Sequence, residues 1–273
     1  MTGPFPILYI AEADAEAAVL SSGVLAHLVE AVPQARFTIV GSAASAPLFA
    51  DTPRLDSLIV LDREGRWDWV ALWNRVRSTR WGLVVDMRGR LKRQKRAVRA
   101  PDLPGLHAVE QAARIMHLDD VPAPKLFFDD ETRAAADALI GPVTGPILAV
   151  GPGVDWMGKR WPAERYSKVA GPLLAEGGPL AGGRLMIVGE EIDRDSTRLQ
   201  TAAALSRADL YLGADSIWTQ LAVAAGVPSV AVFGPSDETH HGPWGGIAVR
   251  GPRTVEEFRA IDPNLNQAIQ HMM

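Results

Sequence analysis

The stretch that most constrains this chain is Ala208 to Pro235, ADLYLGADSIWTQLAVAAGVPSVAVFGP. Asp209 to Leu212 opens an apolar β-type run that Gly213-Ala214 breaks, and Ser229 to Phe233 is a second such run. Between them Leu221, Ala222 and Ala225, with small neighbours, give a helix able to pack closely on a sheet, and Gly226-Val227-Pro228 ends it. Asp215 and Ser216 stand where that helix needs a cap, because their side-chain oxygens can accept the N–H groups of its first turn. The result is a βαβ unit, whose right-handed crossover puts the helix start at the C-terminal edge of a parallel sheet. That edge is where α/β folds bind ligands, and a helix N-terminus attracts anions. A capped helix with no ligand accounts for the same residues, so the stretch fixes fold class before function.

The rest of the chain repeats this rhythm. Ile7 to Ile10 reads as a strand and opens into the loop Ala11 to Glu16, where Glu12, Asp14 and Glu16 alternate with alanines. A helix is expected from about Ala17 to Ala31, then strands over Phe37–Val40 and Ser57–Leu61, a helix over Trp67–Val76, and a strand over Gly82–Asp86. Leu106–Met116 and Asp130–Ile140 read as helices. Residues 141–146, with two Gly-Pro pairs, form the clearest linker. The rhythm then restarts with a strand at Ile147–Val150, a helix at Ala163–Glu176 and a strand at Arg184–Val188; Ile247–Val249 follows the βαβ unit. Alternation of this kind predicts parallel sheets covered on both faces. The expected organisation is two Rossmann-like domains, residues 1–140 and 147–253, facing each other across a cleft. Residues 254–273 form a polar C-terminal segment that returns to the first domain on this reading.

Composition excludes several classes. With 273 residues the chain can bury a full core in one large domain or two modest ones. No run approaches the roughly 18 to 20 apolar residues of a membrane span, and the N-terminus lacks the basic region of a signal peptide. Cysteine is absent, which removes disulfides and thiolate metal sites and suits a cytoplasmic protein. His240-His241 has no companion at a spacing that completes a metal site, so no metal is expected. A net charge of −4 argues against general nucleic-acid binding.

That charge is unevenly spread. Between Arg75 and Arg99 ten arginines and lysines face one acid, Asp86. A solvated face is the plain reading of such a run. The functional one is a patch, including Arg88, Arg90 and Lys92, for a phosphorylated acceptor or an anionic membrane surface. A second feature is Gly151 to Pro162, GPGVDWMGKRWP, between a strand and a helix. Its glycines, Gly153 among them, allow close backbone approach, and Lys159 brings a positive charge to the edge where the Asp215 helix begins.

Here the residues reach a family. Lys159 to Tyr166, KRWPAERY, resembles the K-x-W-P-x-E-R-[FY] motif of glycosyltransferase family 9, the ADP-heptose:lipopolysaccharide heptosyltransferases. Asp215-Ser216, Leu221-Ala222, Gly226-Val227-Pro228 and Phe233-Gly234-Pro235 resemble that family's D-S-G-x-x-H-L-A-A-A…G-x-P…F-G-P segment, and LVVDMRGR at Leu83–Arg90 its D-x-[QR]-G segment. The resemblance implies a GT-B-like fold and inverting sugar transfer from a nucleotide-sugar, ADP-linked in the family, to a lipid-linked or phosphorylated saccharide. No cofactor is implied. Lys159 would neutralise the donor diphosphate with help from the helix opening at Ser216. Asp215 would hold sugar hydroxyls, and Glu190 or Glu191 the ribose. The site would lie in the cytoplasm, peripheral to the inner membrane.

The sequence also departs from the family. The family's proposed base lies in a Gly-Asp pair after the first strand; an ungapped reading puts Glu16 and Ala17 there, leaving Asp14 or Glu16 as candidate bases. Ile217 replaces the D-S-G glycine, where its side chain is expected to crowd a phosphate. Gln220 replaces the histidine, keeping hydrogen bonding without a titratable charge. The chain is also short after Arg93 and Arg194. The readings compatible with these residues are a family 9-like heptosyltransferase, a transferase of the same architecture using another nucleotide-sugar, and an inactive homologue serving as a binding or scaffold protein.

Overall fold

The computed structural model describes residues 3–61, 65–90, 97–100, 103–153, 161–189 and 196–251. Two five-stranded sheets follow one another along the chain. The first contains β1 (Phe5–Ile10), β2 (Ala35–Ser42), β3 (Leu55–Leu61), β4 (Leu83–Asp86) and β5 (Ala97–Arg99), in the spatial order β3-β2-β1-β4-β5. The second contains β6 (Ile147–Gly151), β7 (Arg184–Ile187), β8 (Leu210–Ala214), β9 (Ser229–Phe233) and β10 (Ile247–Arg250), in the order β10-β9-β8-β6-β7. Every pairing is parallel. Each order reverses once, between β1 and β4 and between β6 and β8. At a reversal the chain leaves neighbouring strands toward opposite faces, which opens a crevice at their C-terminal ends.

The connecting helices are α1 (Ala15–Leu20), α2 (Ser22–Ala31), a 3-10 turn (Ala46–Phe49), α3 (Arg66–Val76), α4 (Ala108–Ile115), α5 (Asp130–Ile140), α6 (Ala163–Leu174), α7 (Arg198–Leu205), α8 (Ile217–Ala224) and α9 (Glu238–His241). The sheets are buried unequally on their two faces. One face of the first carries a small cluster of Leu8, Ile10, Val40, Ile59 and Val84 with Leu72 and Val76 of α3. One face of the second does the same through Leu148, Val150 and Leu212 with Tyr166 and Ala170 of α6. A single larger apolar cluster includes Ile7 and Phe37 from the first sheet, Ala149 and Tyr211 from the second, and Ile217 and Leu221 of α8. Within it α1 packs on α8 and α5 on α7. The halves are further tied by Leu126, whose N–H donates to the Ala224 carbonyl at 3.3 Å, and by His107, whose Nε2 donates to the Gly242 carbonyl at 3.0 Å.

Several elements differ from the sequence reading. The helix expected from Ala17 starts at Ala15, because the Asp14 carboxylate accepts the Ala17 N–H at 2.9 Å and caps it. It then breaks at Ser21 into α1 and α2. At the break Ser22 Oγ donates to the Val19 carbonyl at 2.6 Å and accepts the Lys125 N–H at 2.9 Å. Gly23 lets the backbone of residues 122–123 cross α2, since a Cβ there would run into the Pro122 carbonyl oxygen. Strand β5, inside the basic run, and helix α7 are both additions to the sequence reading. The signal for α7 was present as a capping box, in which Thr197 accepts the Gln200 N–H and Gln200 accepts the Thr197 N–H. The polar segment 254–273 lies outside the described residues.

The crossing at Gly23 is directly testable. Gly23→Ala should destabilise the protein by about 1–3 kcal/mol, since backbone rather than a flexible side chain occupies the space. Gly171→Ala in α6, where a Cβ meets nothing within 4 Å, should instead stabilise by about 0.5–1 kcal/mol. Urea unfolding of the two variants reads both signs.

Candidate active site

At the second reversal, the ends of β6 and β8 carry Gly151 and Gly213, which are register partners. Their missing side chains make room for Tyr211, whose hydroxyl lies 2.1 and 2.2 Å from where the two Cβ atoms would be. The buried phenol reaches the start of α8, where it meets the Thr219 and Ser216 side chains, and burial pushes its pKa well up. Thr219 Oγ1 also donates to the Ala214 carbonyl at 2.6 Å. Ser216 therefore faces Tyr211 and makes no side-chain bond to the first turn of α8. The side-chain cap expected from Ser216 is not formed. Asp215, almost fully buried, accepts from Ser236 Oγ beyond the end of β9. The first-turn N–H groups of α8 lack a cap from Ser216, so the positive end of the helix points into the crevice.

Trp218, half-buried beside this turn, went unremarked in the sequence. Its indole nitrogen lies 3.6 Å from the Cβ position of Gly153 and 3.9 Å from that of Gly189. The loops leaving β6 and β7 thus converge with α8 on one aromatic ring. A tryptophan between two glycine turns was the available signal.

At the first reversal, β1 and β4 end side by side at Ile10 and Asp86. Arg88, just beyond, donates from Nε to the Ala11 carbonyl at 2.5 Å and from its backbone N–H to Asp86 Oδ1 at 3.1 Å. Its guanidinium and that of Arg90 each lie 5.9 Å from the Trp69 ring centre. Arg88 thereby holds the loop after β1, where Glu12 is half-buried. Burial raises the Glu12 pKa; the Arg88 charge pulls it back, and Asp86 and Asp14 push it up. Of the three acids in this loop, Glu12 is the one the sequence reading left out of its candidate bases. Asp14 is exposed with one oxygen on the cap of α1, and Glu16 lies in the first turn of that helix.

The remaining candidates divide in two. Ile217 is buried in the shared core, so its side chain does not crowd the turn as expected. Gln220 is fully buried and donates from Nε2 to the His241 carbonyl at 2.7 Å, which makes it a brace for α9. His240 donates from Nδ1 to the Leu106 carbonyl at 2.7 Å, joining the halves. Lys92, Lys159, Glu190 and Glu191 lie outside the described residues. A cavity of about 540 Å³ lined by Leu103, Glu110, Arg114, His117 and Asp119 sits at the far end of α4 and contains none of these candidates.

Comparison with known proteins places this geometry. Residues 196–251, from α7 through β10, match the family model described as glycosyltransferase family 9 (heptosyltransferase). That match bears out the resemblance read from the sequence. No curated protein matches the chain. Among solved structures, the family 9 glycosyl transferase from Veillonella parvula DSM 2008 is 18% identical, with TM-score 0.68 over 98% of this chain and 90% of that one. The E. coli ADP-heptose lps heptosyltransferase II is 16% identical, with TM-score 0.66 over 94% of this chain and 98% of its own. E. coli heptosyltransferase WaaC with ADP is 15% identical, with TM-score 0.62 over 98% and 99%. The fold is the GT-B-like α/β arrangement of these proteins.

The raised proton affinity of Glu12 has a stability signature. The folded protein holds this proton more tightly than the unfolded chain, so ionisation costs stability as pH rises through the folded value. Glu12→Gln should leave the melting temperature unchanged in acid and raise it near neutral pH, as read by thermal unfolding across pH. Gln220→Leu should lower stability by about 1–3 kcal/mol at all pH values, because the His241 carbonyl loses its donor.

Proposed function

We propose that this chain is an inverting glycosyltransferase that moves a sugar, heptose in the first instance, from an ADP-linked donor to a saccharide of lipopolysaccharide type. The observation that carries the reading is the start of α8. It sits at the strand-order reversal of the second sheet, and Ser216 is turned from its first turn to Tyr211. A helix N-terminus there suits a diphosphate through its N–H groups and roughly half a unit of positive charge. Lys159 adds a full charge from the loop after β6, and Glu190 or Glu191 binds the ribose. Asp215 orients sugar hydroxyls, and the Trp218 ring receives the base. Charge on the departing diphosphate is met by the helix and Lys159, so the reaction has no need of a metal.

Glu12 is the base on this reading. It takes the proton from the acceptor hydroxyl as that oxygen attacks the anomeric carbon from the face opposite the leaving group. The new glycosidic bond forms as the sugar–phosphate bond breaks, and the nucleoside diphosphate leaves. A half-buried carboxylate with raised proton affinity suits this task better than the helix-capping Asp14. Arg90 and Lys92 meet phosphate on a lipid-linked or phosphorylated acceptor, while Arg88 positions the Glu12 loop. The reaction is placed in the cytoplasm. A second reading, an inactive scaffold, is favoured by one observation: Ala17 occupies the position of the family's proposed base.

Calorimetric titration with ADP, ADP-heptose and UDP-sugars separates these readings. An ADP-linked ligand should bind, weakened by about 1.5–3 kcal/mol in Lys159→Ala and by about 1–3 kcal/mol in Trp218→Ala. Glu12→Gln should keep that affinity while sugar transfer falls by about 10²- to 10⁴-fold. Transfer that survives in Glu12→Gln but fails in Asp14→Asn or Glu16→Gln would move the base to the expected positions. Folded protein that binds no nucleotide would leave the scaffold.

A further inference from the structure

Helix α3 has two unlike faces. Leu72 and Val76 are buried against the first sheet, and Trp69 is half-buried beneath Arg88 and Arg90 of the loop after β4. At 100° per residue the opposite side brings Trp73, Arg66, Arg77, Val70, Asn74 and Trp67 into an arc of about 120°. All six are exposed. Trp67 is 80% exposed, Trp73 50% and Val70 42%. Tryptophan is rarely left so open, and here two of them share one outward face.

The charge on α3 and the strand and loop after it is mainly positive, although Asp62 and Glu64 precede the helix in the sequence. Residues 65–90 contain six arginines and two aspartates. Asp86 is fully buried, and Asp68 accepts the Gly65 N–H at the start of the helix. What α3 offers to solvent is therefore indole and aliphatic surface set among guanidinium groups. Indole rings settle at the boundary between headgroups and acyl chains, and arginines beside them meet anionic headgroups. No helix among the described residues is long and apolar enough to cross a membrane.

We infer that the outward face of α3, through Trp67, Val70 and Trp73 flanked by Arg66 and Arg77, docks the protein on an anionic bilayer surface. The helix lies flat, with the two indoles inserted to headgroup depth and the arginines on lipid phosphates. The inference is independent of the donor site, which lies on the other sheet. It adds to the proposed function a means of holding the first-sheet reversal near a lipid-linked acceptor.

The test is co-sedimentation of the full chain with phosphatidylglycerol/phosphatidylethanolamine vesicles and with phosphatidylcholine vesicles. The protein should bind the anionic vesicles, and binding should weaken by about tenfold or more in raised salt or on phosphatidylcholine. The double variant Trp67→Ser/Trp73→Ser should lose about tenfold or more on the anionic vesicles, as should Arg66→Glu/Arg77→Glu, with unchanged circular dichroism and unchanged nucleotide affinity. Quenching of tryptophan fluorescence by bromolipid should disappear with the two indoles. Wild-type protein that stays in the supernatant, or a double variant that binds equally well, would overturn the inference. So would lipid-free self-association abolished by Trp67→Ser/Trp73→Ser, which would assign the face to a second copy of the chain.

Discussion

The packing of α1 on α8 is the contact on which the rest of the molecule depends. Each helix leaves the C-terminal end of a central strand, α1 after β1 and α8 after β8. Both bury small residues, Ala15 and Ala18 on one and Ala222 and Ala224 on the other. Alanines let two helix axes approach closely, and the apolar area so removed from water stabilises at about 25 cal/mol per Å². Because the larger apolar cluster draws residues from both sheets, the two strand-order reversals are held in a defined relation to one another. For a reaction that joins two substrates, that relation is what converts binding into proximity.

The two reversals differ in their electrostatics in a way that suits different partners. The second offers the positive end of α8 with the Ser216 hydroxyl turned inward to a buried tyrosine. The first offers a desolvated carboxylate, Glu12, on a loop held by Arg88. Arg88 braces Ala11 and lies on Trp69, so in the proposed function the acceptor phosphate is left to Arg90. Arginines continue outward along α3, so the side proposed to meet the acceptor is also the side with exposed tryptophans.

Much of this was legible in the sequence because periodicity and glycine punctuation report directly on backbone geometry. The parallel strands, the βαβ unit around Asp215 and the family motifs of the second half all rest on such local signals. That Ser216 would not cap α8 was not legible, because its competing partner, Tyr211, is fixed only by tertiary packing. Asp14 shows the converse: it was singled out for chemistry and caps a helix. Glu12 could not be ranked above Asp14 and Glu16 by spacing, since its distinction is burial beside Arg88. Ile217 and Gln220 were read as ligand-facing from their place in a motif, yet both are directed into packing between elements. Strand β5 is three residues long within a run of charge, too short for periodicity to reveal.

The most direct measurement is amide hydrogen exchange with and without ADP. The proposed site expects slowed exchange at residues 217–219, in the first turn of α8, and at Gly151 and Gly153 where β6 ends. It expects no change along residues 103–121, which line the cavity at the far end of α4. Protection confined to that cavity, or no protection while ADP is bound, would contradict the assignment of α8 as the diphosphate site.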